Sequence, residues 1–267
     1  MPNQQNESVL RLPGSRGMWQ PLDVVATTGS TNADLLAVAD RGGAEGAVLV
    51  AEEQTAGRGR LGRSWSSVPG GSLTFSVLLR PGPVPPARRG WLPLLAGVAV
   101  ASAVRSVAGV DAVLKWPNDV LVGGRKLAGI LAEQSPDATA VVIGAGLNVA
   151  APADALPVSP AGLPATSLQV EGAAVDRAAL LLAILDELET RYTAFKAGPD
   201  PVATGLLEAY RALCATLAHP VRVVLPADRE LTGEATDIDA EGRLLVVQEP
   251  GGRLVPVSAG DVLHLRS

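Results

Sequence analysis

EEQTAGRGRLGRSW, residues 52–65, is compatible with two different folds. Within it, Gly57-Arg58-Gly59-Arg60-Leu61-Gly62 fits G-x-G-x-x-G, and the apolar run ahead of it, 46–54, reads as a strand. A dinucleotide-binding turn must open a helix and be followed some 20 residues on by an acid for the ribose. Neither condition holds. After Gly62 the chain runs RSWSSVPGGSLTFSV, a loop and then a strand, and no acid occurs between Glu53 and Asp111. Three readings remain. Gly/Arg runs are commonly mobile surface loops. An RNA-binding segment would need stacking platforms, and aromatic content is only 3%. In the third, Arg58, Arg60 and Arg63 close a glycine-flexed loop around an anion, since guanidinium gives bidentate phosphate or carboxylate contacts and does not deprotonate.

The rest of the chain narrows the chemistry. It has 267 residues, 47% of them hydrophobic, enough for one large domain or one large plus one small. A net charge of −5 gives no general attraction to nucleic acid or anionic membrane. The single cysteine, Cys214, cannot pair within the chain and fits a reducing cytoplasm; on an amphipathic helix it reads as core. The two histidines, His219 and His264, leave a zinc site unsupplied and take no role from their spacing. The N-terminus has no basic-then-apolar signal design, and the apolar run 92–104 is too short to span a bilayer. A soluble cytoplasmic protein is expected.

Hydrophobic patterning predicts a loose polar tail over 1–20, a strand at 22–26, a helix at 30–42 capped by Ser30 or Thr31, and strands at 47–53 and 72–80. A buried helix follows at 91–109. Strands come next at 111–116, 119–122, 126–135 and 138–150, then a loose Pro/Ala segment over 151–165. The helix at 176–198 presents Leu181, Leu185, Leu188, Tyr192 and Phe195 on one face; a second is expected over 200–217, with Asp200 as N-cap and Pro201 behind it. Beyond 218 the chain becomes short alternating strands with Gly, Asp and Pro turns, the pattern of a small β-barrel. Its five arginines against eight acids weaken a nucleic-acid role for it. The domains expected are therefore 21–217 and 218–267.

A second constellation, KWPNDVLVGGRKLAGILAE (115–133), groups Lys115, Asn118, Asp119 and Lys126 around a Pro-Asn-Asp turn and a Gly-Gly turn. As a plain hairpin, Asn118 and Asp119 would cap the turn, which leaves the two lysines unexplained. No Walker A motif is present, since GGRKLAG lacks the hydroxyl residue. STN (30–32), the loop 52–65, KWPND with KLAGIL, and GAGLNV (144–149), in this order, closely resemble the catalytic domain of the biotin protein ligases. The likeness continues through ATSL (165–168) to the ending VSAGDVLHLR and covers about residues 20–266.

The resemblance implies an α/β (α+β) fold, a central mixed β-sheet flanked by helices in a class II synthetase/biotin ligase-like catalytic domain, followed by a small SH3-like β-barrel. It implies activation of biotin by ATP, with Mg2+ on the triphosphate, to biotinyl-5′-AMP. Transfer follows to one lysine of a biotin carboxyl carrier domain. The residue types suit that chemistry: a carboxylate must attack an α-phosphate, and cations must offset the repulsion. By the same resemblance Ser30, Thr31, Asn32, Gln54, Arg58, Gly59 and Arg60 belong to biotin. Arg63, Trp65, Asn118, Asp119 and Asn148 belong to the nucleotide, Trp65 either stacking on adenine or packing in the core. Lys126 bridges the biotin carboxylate and the α-phosphate, Lys115 helps toward pyrophosphate, and Asp119 is a further catalytic candidate. No protein-held metal is implied. Some members carry a DNA-binding module ahead of the catalytic domain; about twenty polar residues stand there in this sequence, so operator binding is not expected. Monomer and ligand-promoted homodimer both stay open. Leu61 stands where some members have another arginine. A lipoate or octanoate ligase of the same superfamily is the rival, but its Arg-Ser-Gly-Gly-Gly signature is missing.

Overall fold

The computed structural model describes residues 14, 16–157, 163–225 and 229–265. Its larger sheet holds seven strands: β1 (Asp23–Thr28), β2 (Val48–Gln54), β3 (Ser72–Leu79), β4 (Val113–Lys115), β5 (Asp119–Val122), β6 (Arg125–Gln134) and β7 (Val141–Asn148). They lie in the order β1-β2-β3-β7-β6-β5-β4; β1 and β2 are parallel and every other pair is antiparallel. The mixed sheet is thus as expected.

The central strands β3 and β7 are buried along their whole length. On one face, α2 (Trp91–Ala108) and α3 (Arg177–Ala197) pack over the alternating apolar residues of the sheet, such as Val50, Phe75, Ile143 and Ile130. Helix α2 is apolar all round and lies in the core. The α3 stripe predicted from spacing is buried residue for residue. The opposite face carries only α1 (Thr31–Asp40), packed on Leu49, Leu78 and Val142. Beyond the N-terminus of α1 that face is open, and the cavity described below forms there.

Two expectations are corrected. The tail assigned to 1–20 falls mostly outside the described residues, but 16–20 are not loose: Trp19 is 1% exposed and its Nε1 donates to Leu185 O at 3.1 Å. A buried indole anchors chain that its polar neighbours made look disordered. The helix expected over 200–217 is shorter, α4 (Leu206–Leu213). Asp200 instead caps a preceding turn, accepting from Val202 N at 2.9 Å, and Gly205 at φ +70° resets the chain direction before α4 begins. Part of the loose segment 151–165 lies outside the described residues; its end is tied down, with Lys126 N donating to Pro164 O at 2.7 Å.

After α4 come β8 (His219–Leu225), β9 (Arg229–Ile238), β10 (Leu244–Gln248), β11 (Leu254–Val257) and β12 (Asp261–His264), one antiparallel sheet in the order β11-β10-β9-β8-β12. Strand β9 alternates exposed and buried residues, as one covered face requires. The turn after β9 joins this sheet to the larger one. Trp91 Nε1 donates to Ala240 O at 3.0 Å and Trp116 Nε1 to Gly242 O at 3.2 Å. Two buried indoles are thereby satisfied across the joint.

Candidate active site

The open face of the larger sheet forms a cavity of about 940 Å³. Each of the fourteen residues singled out from the sequence lines it. At one end is the N-terminus of α1. The hairpin β4–β5 and the start of β6 form the other, with β12 closing over it, and the loop 57–65 covers the middle.

The α1 end is a buried hydrogen-bond network. Ser30 caps the helix, its Oγ 3.5 Å from Ala33 N. Gln54 Oε1 accepts both Thr31 N (2.7 Å) and Thr31 Oγ1 (3.0 Å). Asn32 Nδ2 donates to Glu133 Oε2 at 2.8 Å and to Leu131 O at 3.2 Å. Beneath them Ser76 Oγ lies 2.6 Å from both Thr31 Oγ1 and Asn32 Oδ1. Arg58 approaches Glu133 at 3.3 Å. Short polar side chains fixed by one another present a rigid set of donors and acceptors, which suits a small polar head group.

The other end is cationic. Lys126 Nζ lies 2.7 Å from Asp119 Oδ1, and Arg60 Nη1 donates to Asn118 Oδ1 at 3.2 Å. Asn118 Nδ2 is in turn held by Ile130 O at 3.0 Å. Burial draws the Lys115 ammonium below its ordinary value; Lys126, Arg63 and Arg60 add to this, and Asp119 opposes it. Burial likewise lowers Arg60, again against Asp119. Such a cluster favours anions, whose charge would stabilise the ammonium and guanidinium forms against burial. Arg63 is ion-paired to Asp261 on β12. Among the described residues no group of three or more His, Cys, Asp or Glu is arranged to hold a metal ion.

The position of Lys126 depends on one irregularity. Residues alternate faces along a strand, so Lys126 should share the core face with Ala128 and Ile130. It does not, because the β5–β6 register shifts: Val120 pairs with Ala128 but Leu121 pairs with Lys126, leaving Leu127 as an extra residue. The bulge reverses the alternation and turns Lys126 to the side of Gly129 and Asp119. The hairpin ends in Gly123-Gly124, both at positive φ (55° and 75°), as the tight turn requires.

The loop 57–65 closes on itself. Gly59 N donates to Arg63 O (2.7 Å) and Trp65 N to Gly57 O (2.9 Å), with a single 3-10 turn, Arg60–Gly62, at its tip. Trp65 lies against Gly146 of β7 so closely that a Cβ there would be 2.2 Å from its ring. The indole is neither free nor core: it lines the cavity, 6.0 Å from Lys126 Nζ. Three buried polar atoms on the cavity have no partner in the described chain: Trp65 Nε1, Thr74 Oγ1 and Asn148 Oδ1. Buried polar groups are nearly always paired, so these three are donors and acceptors left free on the cavity wall. Asn148 Nδ2 is held by Thr166 O at 3.0 Å, which orients the amide.

The sequence reading passed over several of these residues. Thr74 and Ser76 on β3, and Gly144 with Gly146 on β7, line or underlie the floor. Their signal was present as small residues at every second position of two apolar strands. A Cβ on Gly144 would stand 2.2 Å from Asn32 Oδ1. Glu133, Asp261 and His264 stand within segments that carry the resemblance, but nothing in the spacing singled them out.

Comparison with known proteins agrees with this geometry. The Biotin/lipoate A/B protein ligase family model matches residues 28–148, and the Biotin protein ligase C terminal domain model matches residues 219–265. The biotin--[acetyl-CoA-carboxylase] ligase of Mycobacterium tuberculosis is 47% identical over 262 residues, 96% of this chain and 93% of that protein. The bifunctional ligase/repressor BirA of Escherichia coli is 35% identical, over 91% of this chain and 74% of its own length. Among solved structures, the biotin protein ligase from Aquifex aeolicus in complex with biotin and ATP superimposes with a TM-score of 0.75 at 28% identity. The match covers 92% of this chain and 99% of that one.

Proposed function

Because this chain belongs to the biotin protein ligase family, we propose that this cavity serves both half-reactions, with the biotin head group at the α1 end and the nucleotide at the Lys115–Asp119 end. The chain is an ATP-dependent ligase for which biotin and ATP are substrates. The biotin carboxylate attacks the α-phosphate and pyrophosphate leaves. The carrier lysine amine then attacks the acyl carbon of biotinyl-5′-AMP and AMP leaves. The name of the Mycobacterium relative supports an acetyl-CoA carboxylase carrier domain as the acceptor.

The observation that carries the assignment of roles is the Lys126–Asp119 pair, 2.7 Å apart at the cationic end of the cavity. Lys126 bridges the two reacting anions and stabilises the charge shared between them in the transition state. Asp119 holds the lysine in place beforehand. Arg60 and Lys115 bind phosphate oxygens, and Arg58 with the Thr31–Asn32–Gln54 network binds biotin. The loop 57–65 excludes water from the labile anhydride. Magnesium enters as part of the ATP substrate complex. The net charge of −5 supports a protein that does not bind DNA, and the single cysteine supports a cytoplasmic one.

The test is biotin transfer to a purified carrier domain with ATP and Mg2+. Lys126→Ala, checked for an unchanged melting transition, should lose roughly 10²–10³-fold in kcat. Wild-type rates in that variant would sink the role given to Lys126. Transfer of lipoate in preference to biotin would sink the assignment of the α1 end.

A further inference from the structure

β12 brings into the cavity wall a residue that takes no role from its spacing in the sequence. His264 lines the same cavity as Lys115, and its Nε2 lies 3.2 Å from Thr216 Oγ1. Thr216 is fully buried, and its Oγ1 accepts the backbone N–H of Trp116 at 3.0 Å. Trp116 stands between Lys115 and the Pro117-Asn118-Asp119 turn. The relay therefore runs from the last strand of the C-terminal sheet into the backbone that presents three of the cationic-end residues. On its other side His264 is stacked on His219 of β8, ring centroids 5.9 Å apart and planes 16° apart. His219 is itself fixed by Leu217 O, 2.9 Å from its Nδ1.

The charged and titratable groups around this ring are Lys115 from β4, His219 from β8 and the Arg63–Asp261 pair. Burial, then Lys115 and His219, hold the His264 pKa at about 4, so the ring is neutral near pH 7. A neutral imidazole carries one N–H and one lone pair. Thr216 Oγ1 accepts from Trp116 N and keeps one hydrogen and one further lone pair, so it pairs with His264 Nε2 whichever ring nitrogen carries the hydrogen. A side chain without that ring nitrogen would break the relay.

We infer that His264, acting through Thr216, is a positioning residue that sets the Lys115–Asp119 turn for the nucleotide. This rests on the placement of the nucleotide at the Lys115–Asp119 end. The stacked rings fix the imidazole, the imidazole fixes the threonine, and the threonine fixes the turn.

The experiment measures kcat and separate KM values for ATP and biotin in pyrophosphate release by the full chain. The variants are His264→Phe, Thr216→Val, the double variant, Thr216→Ser and Lys115→Ala. His264→Phe keeps the stacked ring and removes the nitrogen that pairs with Thr216, and should raise KM for ATP about tenfold with KM for biotin unchanged. Thr216→Val should match it, and the double variant should be no worse than either single, because one relay is cut once. Thr216→Ser, which keeps the hydroxyl, should restore ATP affinity. Unchanged KM for ATP in folded His264→Phe, equal loss for both substrates, or additive effects would each overturn the inference. If His264→Phe does not fold, the Thr216→Val and Thr216→Ser pair decides the matter. An unchanged KM for ATP in Lys115→Ala would show that the nucleotide-end placement itself is wrong.

Discussion

Gly146→Ala tests whether the floor of the cavity is shaped for the Trp65 indole. The added Cβ would stand 2.2 Å from Trp65 Cε2 and 2.5 Å from Cζ2 and Nε1. Carbon pairs pack at about 3.5–4 Å, so the ring must retreat by about 1.5 Å. Trp65 cannot do so alone, because its backbone N–H is bonded to Gly57 O across the loop that also bears Arg60 and Arg63. Overpacking of this kind costs roughly 1–3 kcal/mol. Borne by a loop, that cost should appear in ligand binding, as roughly a 5- to 150-fold loss in kcat/KM, with little change in melting temperature. Calorimetric titration with biotin and with ATP, beside steady-state kinetics and thermal melting, measures both effects. The control is the cycle with Trp65→Ala: without the indole, the added methyl group should cost much less. A defect of equal size in the Trp65→Ala background would refute the reasoning, since the methyl would then be striking something other than the indole.

Ser76→Ala removes the hydroxyl beneath Thr31 and Asn32, and should weaken biotin about 5-fold by titration calorimetry while leaving ATP unaffected. Trp116→Phe deletes the buried contact to Gly242 O and should cost about 1–2 kcal/mol, roughly 2–8 °C in Tm; an unchanged melt would mean that this joint contributes nothing. His264 titrates at about 4 in the fold against 6.5 ordinarily, so between those values the unfolded chain binds the extra proton. Its contribution is fully present above about pH 6.5 and is lost as pH falls toward 4. Urea unfolding at pH 5 and pH 7.5 should show this dependence reduced in His264→Phe, and an identical slope would exclude His264 as its source.

The legible parts of this protein were those written in local chemistry. Ser30 ahead of an apolar run marks a helix cap. Gly123-Gly124 between two strands marks a tight turn, and five-residue alternation after 218 marks an antiparallel sheet. The dinucleotide reading of 57–62 could be rejected from the sequence, because the helix and the acid it needs would have been local too. Trp19 and α4 were misread for the converse reason. A single indole held by Leu185, 166 residues away, orders a polar segment, and a glycine at positive φ cuts short a helix whose composition would have continued it.

Sequence alone determined the cast of the site: arginines on a glycine loop, two lysines about a Pro-Asn-Asp turn, and a hydroxyl-rich helix start. The resemblance carried by those residues, and not their spacing alone, pointed to chemistry between two anions. Only the tertiary structure decided which way Lys126 points. By parity it belongs to the core, and it reaches Asp119 because β6 carries a bulge at Leu127, set by the register with β5. Only the packing of the C-terminal sheet brings Asp261 to Arg63 and His264 to Thr216, contacts that span 198 and 48 residues of chain. Spacing along a chain reports the turn chemistry and periodicity of one segment. Which faces meet is settled by strand register and by the burial of residues such as Trp91 and Trp116, and both depend on segments far away in sequence.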